Sequence, residues 1–209
     1  TVKRQSGFLT PFFSNTTTVG TGFALPYYWA ISHDKDLTFT PKFYAKENVL
    51  FLNEYRQVFR NASLILDTSY TEGYKETSAT KTDGSRNHIF ADLDIDLAQG
   101  KPYESNLSFK VQRTSNDTYF RVHDINTTLV EAENTNLENK INYYFSKGNN
   151  YLDISATVYE NLRKKAKHDK YEYVLPNILY GKSFFSEKSL SINYIWQNVF
   201  ISIAACAFS

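Results

Sequence analysis

The stretch "IFADLDIDLA", residues 89–98, sets three aspartates two apart, Asp92, Asp94 and Asp96, among apolar residues. Successive side chains of an extended strand point to opposite faces. Ile89, Ala91, Leu93, Ile95 and Leu97 then share one face, and Phe90, Asp92, Asp94 and Asp96 share the other. The competing reading is a metal loop. A calcium loop of the EF-hand kind needs Gly at its sixth position and Glu at its twelfth, and counting from Asp92 those positions hold Leu97 and Tyr103. Three carboxylates ~7 Å apart on one strand face would need neighbouring strands to share a cation. The stretch is therefore read as a strand with a hydrated acidic face and an apolar face, with no metal assigned.

The same period of two recurs along the chain. Leu107, Phe109 and Val111 oppose Ser108, Lys110 and Gln112, while Leu152, Ile154, Ala156 and Val158 oppose Asp153, Ser155, Thr157 and Tyr159. About ten strands are predicted, at residues 22–32, 37–46, 49–59, 62–72, 88–98, 103–113, 136–146, 150–162, 171–181 and 188–198. Most match the ~9 to 11 residues that a tilted strand needs to cross a bilayer, rather than the ~5 to 6 common in soluble sheets. Short connections at 33–36, 60–61, 99–102, 147–149 and 182–187 alternate with longer ones at 73–87, 114–135 and 163–170, the exception being 47–48. That order describes an all-β, antiparallel up-and-down meander, an incomplete outer-membrane β-barrel.

Composition narrows the function classes. Lys plus Arg is 23 against 22 Asp plus Glu over 209 residues, which gives no basic field for nucleic acid. Cys206 is the one cysteine, so no internal disulfide framework or CxxC motif exists. The longest apolar stretch, residues 195–208, is interrupted by Gln197 and Asn198 and falls short of the ~20 residues of a spanning helix. The absence of methionine marks a processed chain or a fragment. His33, His88, His123 and His168 are scattered, and neither a Gly-x-Ser-x-Gly elbow, a HExxH pair nor a P-loop is present. His123-Asp124 reads as a loop pair, and the basic run at 163–170 as a solvated loop tip. No enzyme activity and no cofactor are expected.

Two prolines stand inside predicted strands. Pro26 in "FALPYYWAI" and Pro41 in "LTFTPKFYA" each remove a ladder donor, which confines them to an edge, a bulge or a weak seam. Tyr27, Tyr28 and Trp29, then Tyr143, Tyr144 and Phe145, cluster towards strand ends, as interface girdles do and as strand propensity alone also allows.

The series Gly7-Phe8-Leu9-x-Pro11, then Leu25-Pro26-Tyr27-Tyr28-Trp29, then Thr40-Pro41 within residues 6–56 resembles the start of the barrel in the LptD (OstA) lipopolysaccharide-assembly outer-membrane protein family. "GSRNHIF" (84–90) and "YEYVLPNILY" (171–180) extend the likeness to about residue 195. The resemblance implies that residues 1–18 end a periplasmic jelly-roll domain and its connector, and that 19–209 begin the transmembrane barrel. It implies transport of lipopolysaccharide into the outer leaflet, with an LptE-like plug lipoprotein and an LptA-like periplasmic bridge as partners. Pro26 and Pro41 would mark a lateral gate, Tyr27, Tyr28 and Trp29 a membrane interface, and Asp92, Asp94 and Asp96 the lumen. It also implies a first strand running outward, which turns the short connections outward, against the usual habit of such barrels. A porin-like barrel, or a soluble β-sheet module binding glycan or calcium, are the alternatives.

Overall fold

The computed structural model describes residues 4–72, 84–163 and 170–183, with residues 198–204 as backbone. The predicted strand at 188–198, all but its last residue, and most of the basic run with His168 lie outside these, as does Cys206.

Among the described residues thirteen strands form one antiparallel sheet. They are β1 (Gly7–Phe8), β2 (Phe12–Thr16), β3 (Gly20–Ala24), β4 (Tyr27–Ala30), β5 (Lys35–Tyr44), β6 (Leu50–Val58), β7 (Ala62–Thr71), β8 (Arg86–Asp96), β9 (Glu104–Thr114), β10 (Asn136–Lys147), β11 (Asn150–Asn161), β12 (Tyr171–Ser183) and β13 (Asn198–Ala204). From β4 to β13 each strand pairs with the next in sequence, the up-and-down meander expected, and no pairing among the described residues joins β13 back to β1. The hairpin between β10 and β11 is the tightest. Its paired ends Lys147 and Asn150 leave two residues for the turn, and Gly148 takes the positive φ of 56° that such a turn demands.

The predicted strand 22–32 is two strands, and Pro26 is the reason. β3 pairs with Gly22↔Tyr44 to Ala24↔Lys42 and β4 with Tyr27↔Phe39 to Ala30↔Asp36, so β5 carries both as one neighbour. Between them Leu25 N–H donates to the Pro41 carbonyl at 3.2 Å. The reciprocal bond cannot form, because Pro41 has no amide hydrogen. Beyond this break, β1 pairs with β4 through two residue pairs, Gly7↔Tyr28 and Phe8↔Tyr27, and β2 pairs with β3. Pro176 sits differently, where the β11–β12 register shifts between Ser155 and Thr157, as proline in a bulge does.

The register sorts the side chains into two faces. Leu37, Phe39 and Phe43 of β5 align with Phe51 and Tyr55 of β6, and onward with Leu64, Leu66, Ile89, Leu93, Phe109, Val111 and Ile141. The other face holds Asp36, Lys42, Glu54, Arg56, Asp67, Ser69, His88, Asp92 and Lys110. Burial runs opposite to a soluble sheet: Phe43 is 47% and Ile89 46% exposed, whereas Lys42 is 4% and Asp67 0% exposed. An apolar face turned outward and a polar face turned inward suit a sheet whose outer solvent is hydrocarbon.

Candidate functional site: the proline break and the strapped polar face

What covers the polar face is the connection 115–135. The sequence reading leaves it as a long loop, yet "TYFRVHDINTTLV" (118–130) carries more apolar residues than a solvated loop needs. Tyr119–His123 form α1, a short helix ended by Asp124 in the left-handed region at φ 48°. Tyr119, Phe120, Ile125 and Val130 are buried with Leu50, Leu52 and Phe90 in the main apolar cluster. Phe120 meets Phe90 edge-on at 5.4 Å between ring centres.

Polar bonds fix the same segment to β5, β6 and β7, and His88 of β8 backs the β7 contacts. Lys42 Nζ of β5 donates to the Asp124 carbonyl at 2.9 Å, and Tyr44 Oη to the His123 carbonyl at 2.8 Å. Glu54 of β6 accepts from the Thr128 N–H at 3.2 Å. Asp67 of β7 accepts from the Thr127 hydroxyl and, at 3.1 Å, from His88 Nε2 of β8. Ser69 of β7 bonds both His88 Nδ1 and, at 2.7 Å, the Tyr119 hydroxyl. An ionised Asp67 only accepts, so His88 Nε2 carries a proton towards it, and in the neutral imidazole Nδ1 takes the Ser69 proton. Ser69 then accepts from Tyr119, and every member has a partner.

Ser69, His88 and Asp67 thus share the residue types of a hydrolytic triad without its opening. Ser69 is 3% exposed, and its hydroxyl is engaged by the equally buried Tyr119. The network holds α1 in place. Here the sequence reading needs correcting: His88 and His123 are not scattered but lie 6.2 and 5.2 Å, ring centre to ring centre, from Tyr119. His123-Asp124 does lie in the connection, but His123 is buried, at 3% exposure. Burial, with Arg86 and Lys42 nearby, pushes its pKa down to about 4. The signal available was the alternation Asp67, Ser69, Thr71 against Leu66, Thr68, Tyr70, which marks an inward polar row opposite a half-apolar connection.

The proline break and the strap meet. A cavity of about 200 Å³ is lined by Leu9, Phe12 and Pro26 on one side and by Asp67, Asn126 and Thr127 on the other. Lys42 Nζ lies 5.4 Å from the centre of the Phe12 ring. At the far end of β5, Asp36 accepts from Arg56 Nε at 2.8 Å, Arg4 at 3.1 Å and Tyr28 Oη at 3.3 Å, tying the segment before β1 to β4, β5 and β6.

The remaining predicted residues fall as follows. Tyr27 and Trp29 project with the apolar face, Trp29 half exposed, and Tyr28 projects with the polar face. Asp92, Asp94 and Asp96 share the polar face, with Asp94 and Asp96 exposed. Asp92 stands opposite Lys110, which pairs with Glu138 at 2.9 Å. No group of three or more metal-ligating side chains lies together among the described residues. No described helix is long and apolar enough to cross a membrane.

No family model matches the chain. Curated relatives do. It is 35% identical over 91 residues to the LPS-assembly protein LptD of Escherichia coli K12, covering 42% of this chain and 12% of that protein. The protein of the same name from Nitrosomonas europaea is 33% identical over 89 residues, again 42% of this chain and 12% of the relative. That of Shewanella frigidimarina is 25% identical over 233 residues, 93% of this chain. There the match spans 30% of the relative, so the chain corresponds to less than a third of these proteins.

Proposed function

Because this chain belongs to the LptD family and corresponds to part of it, we propose that it builds the opening strands of an outer-membrane barrel that delivers lipopolysaccharide to the outer leaflet. The observation that carries this reading is the inverted sheet interrupted at Pro26 and Pro41. The acyl chains of the cargo leave sideways through the break, and its sugars stay on the polar face that includes Asp92, Asp94 and Asp96. Tyr27, Tyr28 and Trp29 lie at the membrane interface beside the break. Residues up to 18 belong to the connector from a periplasmic domain and 19–209 to the barrel, and the partners are an LptE-like plug and an LptA-like bridge.

The test is photocrosslinking from positions 25 and 27, in cells carrying the complete protein, with a Pro26→Ala/Pro41→Ala version beside it. Adducts with lipopolysaccharide are expected from the unaltered break. The double substitution supplies two amide donors, each hydrogen bond contributing about 1 kcal/mol, so delivery and adduct yield fall several-fold. Equal delivery and yield with and without the prolines would remove them from the pathway.

Orientation follows from the same reading. The observed alternation keeps 31–34, 59–61, 97–103 and 148–149 on one rim and 45–49 and 115–135 on the other. A first strand running outward puts His33 outside and Glu133 in the periplasm. In a Cys206→Ser background, an impermeant maleimide should label His33→Cys on intact cells and Glu133→Cys only after permeabilisation. The reverse pattern would invert the barrel.

A further inference from the structure

The connection 115–135 is more than a rim loop. It spans β5, β6, β7 and β8 from the inside, and its tip at Asn126 and Thr127 forms one wall of the cavity whose other wall is Pro26, Leu9 and Phe12. Such a segment does two things at once. It fixes the spacing of four strands next to the broken ladder, and it fills the polar face where cargo sugars would pass.

We infer that residues 115–135 form a strap that closes the inner side of the proline break and is released, by parting Thr127 from Asp67 and the Asp124 carbonyl from Lys42, whenever the break is used. This rests on the transport reading above. Its bonding pattern is that of a reversible latch: the carbonyls of His123 and Asp124 and the hydroxyl of Thr127 are held by side chains of the sheet, and among the described residues no backbone ladder joins the strap tip to the strands. Water replaces each of these partners on release, so the net cost per bond is only about 1 kcal/mol. The seat of Tyr119, Phe120, Ile125 and Val130 supplies the restoring force, since it is exposed to water when the strap leaves.

The test joins the two sides covalently. Thr127→Cys with Asp67→Cys, in a Cys206→Ser background of the complete protein, places two thiols where two side chains now touch. Oxidised, the protein should deliver lipopolysaccharide to the cell surface at least tenfold more slowly than the same protein reduced, and reductant should restore the rate. A second variant replaces residues 116–134 by a Gly/Ser linker, and reconstituted in planar bilayers it should pass ions where the unaltered protein does not. Unchanged delivery on oxidation, or unchanged conductance without the strap, would overturn the inference. Lipopolysaccharide adducts from positions 25 and 27 that persist while oxidation changes nothing would sink the strap and leave the break as a gate. A conductance rise with no adducts would do the converse.

Discussion

Asp67→Ala lowers the free energy that holds α1 on the sheet by about 3 kcal/mol, read as faster amide exchange at Val122 and Ile125 in the reconstituted protein. These two amides donate to the Thr118 and Phe120 carbonyls, so their exchange reports whether the helix is intact. The magnitude follows from what remains after the carboxylate goes. His88 Nε2 and the Thr127 hydroxyl lose their acceptor in a place where both side chains of the His88–Asp67 pair are 0% exposed. A stranded buried donor costs about 1–3 kcal/mol, and the substitution strands two of them. Undocking the strap relieves both penalties by admitting water, so the loss concentrates in docking and not in the strand ladder. Asp67→Asn keeps one carbonyl acceptor and should cost about 1 kcal/mol. Equal exchange in the alanine variant and the parent would mean that water already replaces the carboxylate and that the apolar seat alone holds α1.

The contrast between Asp67 and Asp92 shows how far the sequence could be read. Both lie on the polar face of the sheet, and strand alternation is the part of the fold that a sequence shows: among the described residues nine of the ten predicted strands lie on strands of the sheet, in meander order. Alternation is a local property set by the backbone, so it survives whatever packs above it. What packs above is a long-range matter. Asp67 is sealed under Thr127, 60 residues away in sequence, whereas Asp92 faces Lys110 on the next strand. Nothing periodic in residues 115–135 announces where that segment will lie, and a five-residue helix is too short to show a clear stripe. Pro26 was legible as a defect, because a missing donor is a property of the residue itself. That Pro41 stands beside it, so that one break falls across two strands, needed the register.

The strap also has a pH response, carried by His123. Its ring is packed between Tyr119 and Tyr44, at 5.2 and 5.6 Å between ring centres, and its Nδ1 has no hydrogen-bond partner among the described residues. Burial first, then the charges of Arg86 and Lys42, hold its pKa down at about 4, against an ordinary value near 6.5 once the strap is in water. The undocked state therefore binds more protons between these values, and docking free energy falls as pH falls through that window. Above pH ~6.5 the docked state keeps its full stability; by pH ~4 roughly 3 kcal/mol is lost, near tenfold in the docking equilibrium per pH unit through the middle of the window. Amide exchange at Val122 and Ile125, corrected for the intrinsic pH dependence of exchange, should follow that slope. Carboxylates titrate at the acid end of the same range, so the diagnostic is the difference made by His123→Phe, which keeps a ring in the aromatic seat and removes the titrating nitrogen. The phenylalanine variant should show a flat profile from pH 6.5 to about 5, where the parent has already lost more than 1 kcal/mol. Parallel profiles in the two proteins would leave His123 a packing residue.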